Sequence, residues 1–392
     1  MENKLLYFII LASVVSTLSS LVSYPGFNSL IPPYIGYSDV AVFQQKAIDS
    51  RLPYIEKEIE YPVITGIFIH VMGFSGPNYY YIVSSIFLTL FAVITSIFLY
   101  KIVDALKIDK KKMLYFWILT PTFLFFVIYN WDIIATMFVS MSFYFFIKNK
   151  PVQSSIALSL GLSSKIFPVV FLIPLLMKTK KEDRFKVLAI FALTFLLVNS
   201  YFIFADFNGW LFTYNFHSTR SANYDSIFGV IQFFIPSLSS SMINIISLGM
   251  FGAFYMFLVV LRRNSDFFEL CSLSIMLFLF FNKVFSPQFL LWTLVFFVIL
   301  DFRKRVFYSL EASNMLVFFF VLFWWFAHKE IIELLYLTFF FVIIRHLMLF
   351  YIIYRIRKQK PTNRILINNR DHKTKRFQQQ QKGPKTLHKI RI

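Results

Sequence analysis

Long apolar runs, each interrupted by a few polar or charged positions, repeat along nearly the whole chain. Their borders predict helices over 5–22, 79–100, 113–129, 132–148, 152–164, 166–177, 186–205, 240–261, 267–281, 286–301, 312–327 and 331–354. Many approach the roughly 20 residues that one helix needs to cross the hydrocarbon of a bilayer. Apolar residues are continuous within a run rather than alternating, which excludes a transmembrane β-barrel. The pair 152–164 and 166–177 is short for two full crossings and reads as a hairpin with its apex near Lys165. Two further short apolar stretches, 63–74 and 227–235, sit inside long polar loops and read as interfacial or re-entrant segments. Non-helical backbone is tolerated at membrane depth only where protein or a wet cavity surrounds it, so a cavity is expected on that side. The predicted class is all-α: a polytopic transmembrane helical bundle of roughly ten to twelve spans. The first run has no small-x-small site before the polar loop and reads as a retained helix rather than a cleaved signal.

Composition agrees with the pattern. Only 15% of the 392 residues are charged and 58% are hydrophobic, whereas soluble domains carry about a quarter charged residues. The single cysteine, Cys271, cannot build a disulfide framework or a Cys-based metal site within one chain. Net charge is +19, and its placement is informative. Basic residues gather at 101–112, 148–150, 178–186, 262–263, 303–305 and after Tyr354. The positive-inside rule then places both termini in the cytoplasm of a multi-pass cell-membrane protein, with loops 24–78 and 205–239 facing outward. Residues 1–354 form the membrane domain. The basic tail 355–392, with its Gln378–Gln381 run and few apolar residues, reads as disordered and attracted to anionic lipid. Nothing structured accompanies that charge, so nucleic acid is not an expected partner.

Apart from the basic runs, the notable polar residues fall at outer helix ends or in outer loops, with Arg345 the main exception inside a span. Ion-coupled transporters need ionisable groups near the midplane, so an enzyme working at the outer face is favoured over a transporter or lipid flippase. Asp39 lies among Tyr37, Val40 and Phe43. Such a carboxylate can take the proton of an attacking hydroxyl, or it can simply cap the helix that follows. Glu60, in Glu60-Tyr61-Pro62, can orient a sugar hydroxyl or start a helix, and Asp132, after Asn130-Trp131, reads most plainly as an N-cap. Lys165 at its apex either snorkels or holds a phosphate as a point charge. His217 and Arg220 share the second outer loop, where Arg suits forked bonding to phosphate or serves as a solvated loop charge. Lys283 occupies another outer turn, with Gln288 slightly deeper. One acid and three cations on one face suit group transfer from a lipid-linked phosphate, since cations stabilise charge developing on the departing phosphate. No phosphate-binding Gly-rich loop or H-E-x-x-H motif occurs. A non-catalytic subunit of an envelope assembly is the third reading.

Four segments carry a family resemblance: YSDVAVF followed by EYP, then YNWD, then GLSSKIFPVVFLIPLL, then FNKVFSPQFLLW. In order and spacing they resemble the GT-C superfamily of polytopic glycosyltransferases, in particular glycosyltransferase family 87 and the catalytic subunit of GPI mannosyltransferase I. The resemblance implies a GT-C-like fold, a polyprenyl (dolichyl) phosphate donor lying between helices, and inverting transfer of mannose at the extracytoplasmic face. It implies Asp39 as the catalytic acid and a hydroxyl as acceptor, the acceptor being open among a glycolipid, a protein glycan and a cell-wall polymer. A small membrane partner subunit is compatible with it. Many relatives carry a second acid two positions after the first, where this chain has Ala41. That departure weakens any case for a metal held by paired acids, so no metal ligand and no cofactor is assigned; divalent-metal use stays open.

Overall fold

The computed structural model describes residues 2–24, 36–326 and 329–358. Within these residues the chain is helical, and the only β pairing is an isolated bridge between Pro53 and Lys57. Six helices are long and apolar enough to cross a membrane: Asn3–Val22, Tyr80–Ala105, Lys181–Ala205, Ser240–Leu261, Lys304–Phe326 and Ile332–Lys358. Shorter apolar helices, among them Asp132–Ile147 and Phe267–Phe281, lie between them. The short apolar stretches 63–74 and 227–235 also form helices, Val63–Gly73 and Ile227–Phe234.

Several expected helices are divided, and in each a proline lies at or near the start of one of the segments. The run 113–129 becomes a π-helical turn, Leu114–Ile118, followed by Pro121–Phe126, whose N-cap Thr120 accepts a bond from the Phe123 amide. Proline is favoured at the first helical position because it has no N–H to leave unpaired. The buried amide of Thr122 donates to Glu311 from the helix Lys304–Phe326, at 2.9 Å. Glu311 falls just outside the expected span 312–327, yet it lies buried in that helix. Similarly, 166–177 divides into a 3-10 turn, Phe167–Phe171, and Leu172–Lys178. The run 286–301 divides into Pro287–Thr293 and Leu294–Ile299. The last helix runs to Lys358, so residues 355–358 of the expected tail are helical, and 359–392 lie outside the described residues.

Asp132–Ile147 is the centre of the bundle, packed between Tyr80–Ala105 and Pro151–Leu162. Its Phe143 ring contacts Phe171, Phe267, Phe268 and Phe296 at centroid distances of 5.4–5.6 Å. Edge-on aromatic packing of this kind adds to the energy of burial. Lys181–Ala205 and Ser240–Leu261 instead leave Leu197, Phe204, Ile245 and Leu248 exposed, as helices facing lipid acyl chains do.

The two ends of the bundle differ. At one end, Lys112 bonds to the Leu300 carbonyl, Lys178 to that of Arg263, and Arg262 to that of Arg357. The basic runs meet there. At the other end the loop segments interlock: the Val40 amide donates to the Tyr129 carbonyl, the Ile64 amide to that of Ser163, and the Asn223 amide to that of Lys283.

Candidate functional site

At that interlocked end, Ser38, not Asp39, caps the helix Asp39–Val42: its hydroxyl accepts from the Ala41 amide. Asp39 is therefore not an N-cap, and its carboxylate is left for other work. It is partly buried, and the Tyr37 hydroxyl donates to it at 3.2 Å. Burial pushes its pKa up to about 6; nearby Lys165 opposes the shift, Asp132 adds to it, and the bond from Tyr37 opposes it.

Asp132 is likewise the first residue of its helix rather than its cap, since Trp131 holds the cap position and makes no side-chain bond there. The carboxylate is wholly buried and pairs with the Lys165 ammonium at 2.6 Å, while the Trp292 indole N–H donates to its other oxygen at 3.0 Å. Lys165 is thus no free point charge. Its ammonium lies 4.9 Å from the Tyr61 ring centroid and 5.8 Å from that of Phe289. Tyr61, Phe43 and Trp131 pack edge-on against one another at centroid distances of 4.8–5.4 Å.

His217 is close enough to Lys165 to feel its charge. Its Nε2 contacts the Glu60 carbonyl oxygen at 3.0 Å; since a carbonyl only accepts, Nε2 carries the proton. Burial, with Lys165 and Arg220 adding repulsion, lowers it to about 4, so the ring is neutral at pH 7. The Lys283 ammonium donates to the carbonyls of Arg220 at 2.6 Å and Ser218 at 3.1 Å. Burial and the neighbouring Arg220 lower it to about 8. Arg220 donates to the Asn223 side chain at 2.9 Å and lies against the Phe216 ring.

Asp39, Asp132, Lys165, His217, Arg220 and Lys283 thus form one electrostatically connected group. Two expected residues join it less closely. The Glu60 carboxylate turns outward to Lys46 at 2.8 Å, so only its backbone takes part. Gln288 is buried on the turn that carries Phe289 and Trp292, and makes no hydrogen bond to the acids or the cations. Sequence reading did not single out Trp292, Asn130 or the aromatic wall. Trp292 and Asp132 are 160 residues apart, and no local spacing connects them.

Arg345, the exception noted inside a span, supports the site from below. It is fully buried and donates to Asn314 Oδ1 at 2.8 Å, to the Phe285 carbonyl at 2.9 Å and to the Asp225 carbonyl. It thereby fixes both sides of the loop pair that presents Arg220 and Lys283. Among the described residues no three His, Cys, Asp or Glu side chains come together as a metal site.

Residues 60–287 match the family model for glycosyltransferase family 87, more than half of the chain. The match includes Glu60, Asp132, Lys165, His217, Arg220 and Lys283, while Asp39 precedes it. None of the curated proteins matches the chain.

Proposed function

The chain belongs to glycosyltransferase family 87 and is a membrane glycosyltransferase; from that premise we propose that it moves a hexose, mannose before other sugars, from a polyprenyl phosphate to an acceptor hydroxyl at the outer membrane face. The observation that carries this reading is the partly buried Asp39, bonded by the Tyr37 hydroxyl beside Lys165 with its pKa raised to about 6, in a group where His217 is in turn close to Lys165, Arg220 and Lys283. A base is most effective when its pKa lies near the working pH.

In this reading the acceptor hydroxyl gives its proton to the Asp39 carboxylate as its oxygen bonds to the anomeric carbon. The bond from that carbon to the phosphate oxygen breaks, and its electron pair leaves with the polyprenyl phosphate. Attack opposite the leaving group inverts the anomeric centre. Lys283 and Arg220 face the charge that grows on the departing phosphate, the electrostatic contribution that mutagenesis of other enzymes finds large. Lys165, neutralising Asp132, sets the field between acid and phosphate. The acceptor is a hydroxyl of a glycolipid or glycan.

The test is consumption of labelled polyprenyl-phosphate-mannose by the purified protein in lipid, with a crude glycolipid extract as acceptor. Acceptor-dependent release of polyprenyl phosphate supports the proposal, and a lower rate with the glucose analogue supports the sugar. Use of a nucleotide sugar in preference would overturn the donor. Movement of intact donor between leaflets with no transfer would replace the enzyme by a flippase.

A further inference from the structure

The opposite, basic end of the molecule holds a recess of about 200 Å³ bordered by Leu5, Tyr100, Lys101, Asp104, Tyr144 and Lys148. Three helices form it: Glu2–Val22, Tyr80–Ala105 and Asp132–Ile147, with Lys148 at the end of the last. Lys101 and Lys148 both place their ammonium groups against the Tyr144 ring, at 5.7 and 5.6 Å from its centroid. Asp104, the acid of the recess, is already engaged by Lys110 at 2.6 Å, and Lys110 also donates to the Tyr100 hydroxyl. Three lysines therefore meet one aspartate, and neither Lys101 nor Lys148 has a carboxylate partner among the described residues. Positive charge is left over beside a concave, aromatic-walled space.

Leading away from the recess, the helix Glu2–Val22 exposes Leu6, Ile10, Val14 and Leu18. These positions recur every four residues and so form one stripe along the helix. A ligand with an anionic head and apolar chains would match both parts. We propose that the recess binds the phosphate of an anionic glycerophospholipid, with Lys101 and Lys148 as its cationic ligands and the Leu6–Leu18 stripe beside its acyl chains. Basic pockets between spans are suited to anionic headgroups, and lysine binds phosphate as a point charge. The site lies at the end of the bundle away from Asp39, and it does not depend on the transfer reaction.

The experiment reconstitutes the full chain in phosphatidylcholine nanodiscs containing a minor share of phosphatidylglycerol, and counts retained lipids by native mass spectrometry. Wild type is expected to retain one phosphatidylglycerol. The Lys101→Gln/Lys148→Gln variant should lose that retention by roughly tenfold or more. Lys101→Arg/Lys148→Arg should keep it, as should Lys180→Gln/Lys181→Gln, which removes equal charge elsewhere at the same end. Both lysines of the site are exposed, so the variants should fold, and matching melting temperatures would check this. Equal retention by wild type and the Lys101→Gln/Lys148→Gln variant would overturn the site. Displacement of the lipid by millimolar inorganic phosphate would overturn the lipid assignment in favour of a soluble phosphate.

Discussion

Two aspartates near each other have been given different surroundings. Asp132 is wholly buried but neutralised by Lys165 and held by Trp292, whereas Asp39 is partly open and has a neutral partner in Tyr37. Helix capping was open to Asp39 and was the plainer reading for Asp132; Ser38 and Trp131 occupy the cap positions instead, which only backbone geometry could decide. Two predictions belong at this scale. The base form of Asp39 exists above about pH 6 and the ammonium of Lys283 below about pH 8. The rate at saturating acceptor should therefore be bell-shaped in pH, falling on the acid side as Asp39 is protonated and on the alkaline side as Lys283 loses its charge. A profile flat from pH 5 to 9 would contradict both assignments. The second concerns Lys165. Replacing it by alanine leaves a buried carboxylate without its cation, an effect of about 3–5 kcal/mol on stability. Thermal unfolding should show that loss, and the Asp132→Asn/Lys165→Met double variant should recover much of the stability without recovering transfer.

Among the elements, helix positions followed the apolar pattern closely, including the two short helices of the outer loops, because burial periodicity and length are local properties. Breaks within apolar runs were less legible. Beside the turn at Leu119 and Thr120, Glu311 arrives from a distant helix to accept a bond from the Thr122 amide. Packing of the loop helices depends on similarly distant fits. Gly209, at the start of the helix Phe207–Thr219, lies so close to the Tyr54 carbonyl that a Cβ would collide with it. Tyr54 itself adopts a left-handed backbone, with φ of 67°, so that strand of the loop has little room to yield. Gly209→Ala should cost about 1–3 kcal/mol. It should also loosen the helix bearing His217, seen as faster proteolysis within 206–226; unchanged proteolysis and melting would show that the close fit is not needed.

For the whole molecule, the separation of a basic end from an end with acids and isolated cations was visible in the sequence, since charge placement needs no tertiary knowledge. Convergence of segments 36–61, 130–132, 163–166, 217–226 and 282–288 into one group was not, because it depends on how the helices are arranged. By the charge rule, we propose that this end faces outside the cell. Cys271 is buried, which leaves the background silent for accessibility labelling. A cysteine at exposed Ser221 should react with a membrane-impermeant maleimide on intact cells, whereas one at Lys180 should react only after the membrane is opened. The reverse pattern would invert the orientation and move the proposed chemistry to the cytoplasmic face.

The most direct test compares wild type with Asp39→Asn, both purified in lipid, for transfer of mannose from polyprenyl-phosphate-mannose. Asparagine keeps the shape and cannot take the proton. The account predicts turnover in wild type and a fall of about 10²–10⁴-fold in the variant, equivalent to about 3–5 kcal/mol of transition-state stabilisation, with the melting temperature and donor binding kept. Turnover by Asp39→Asn at the wild-type rate would contradict the central claim and require a different base.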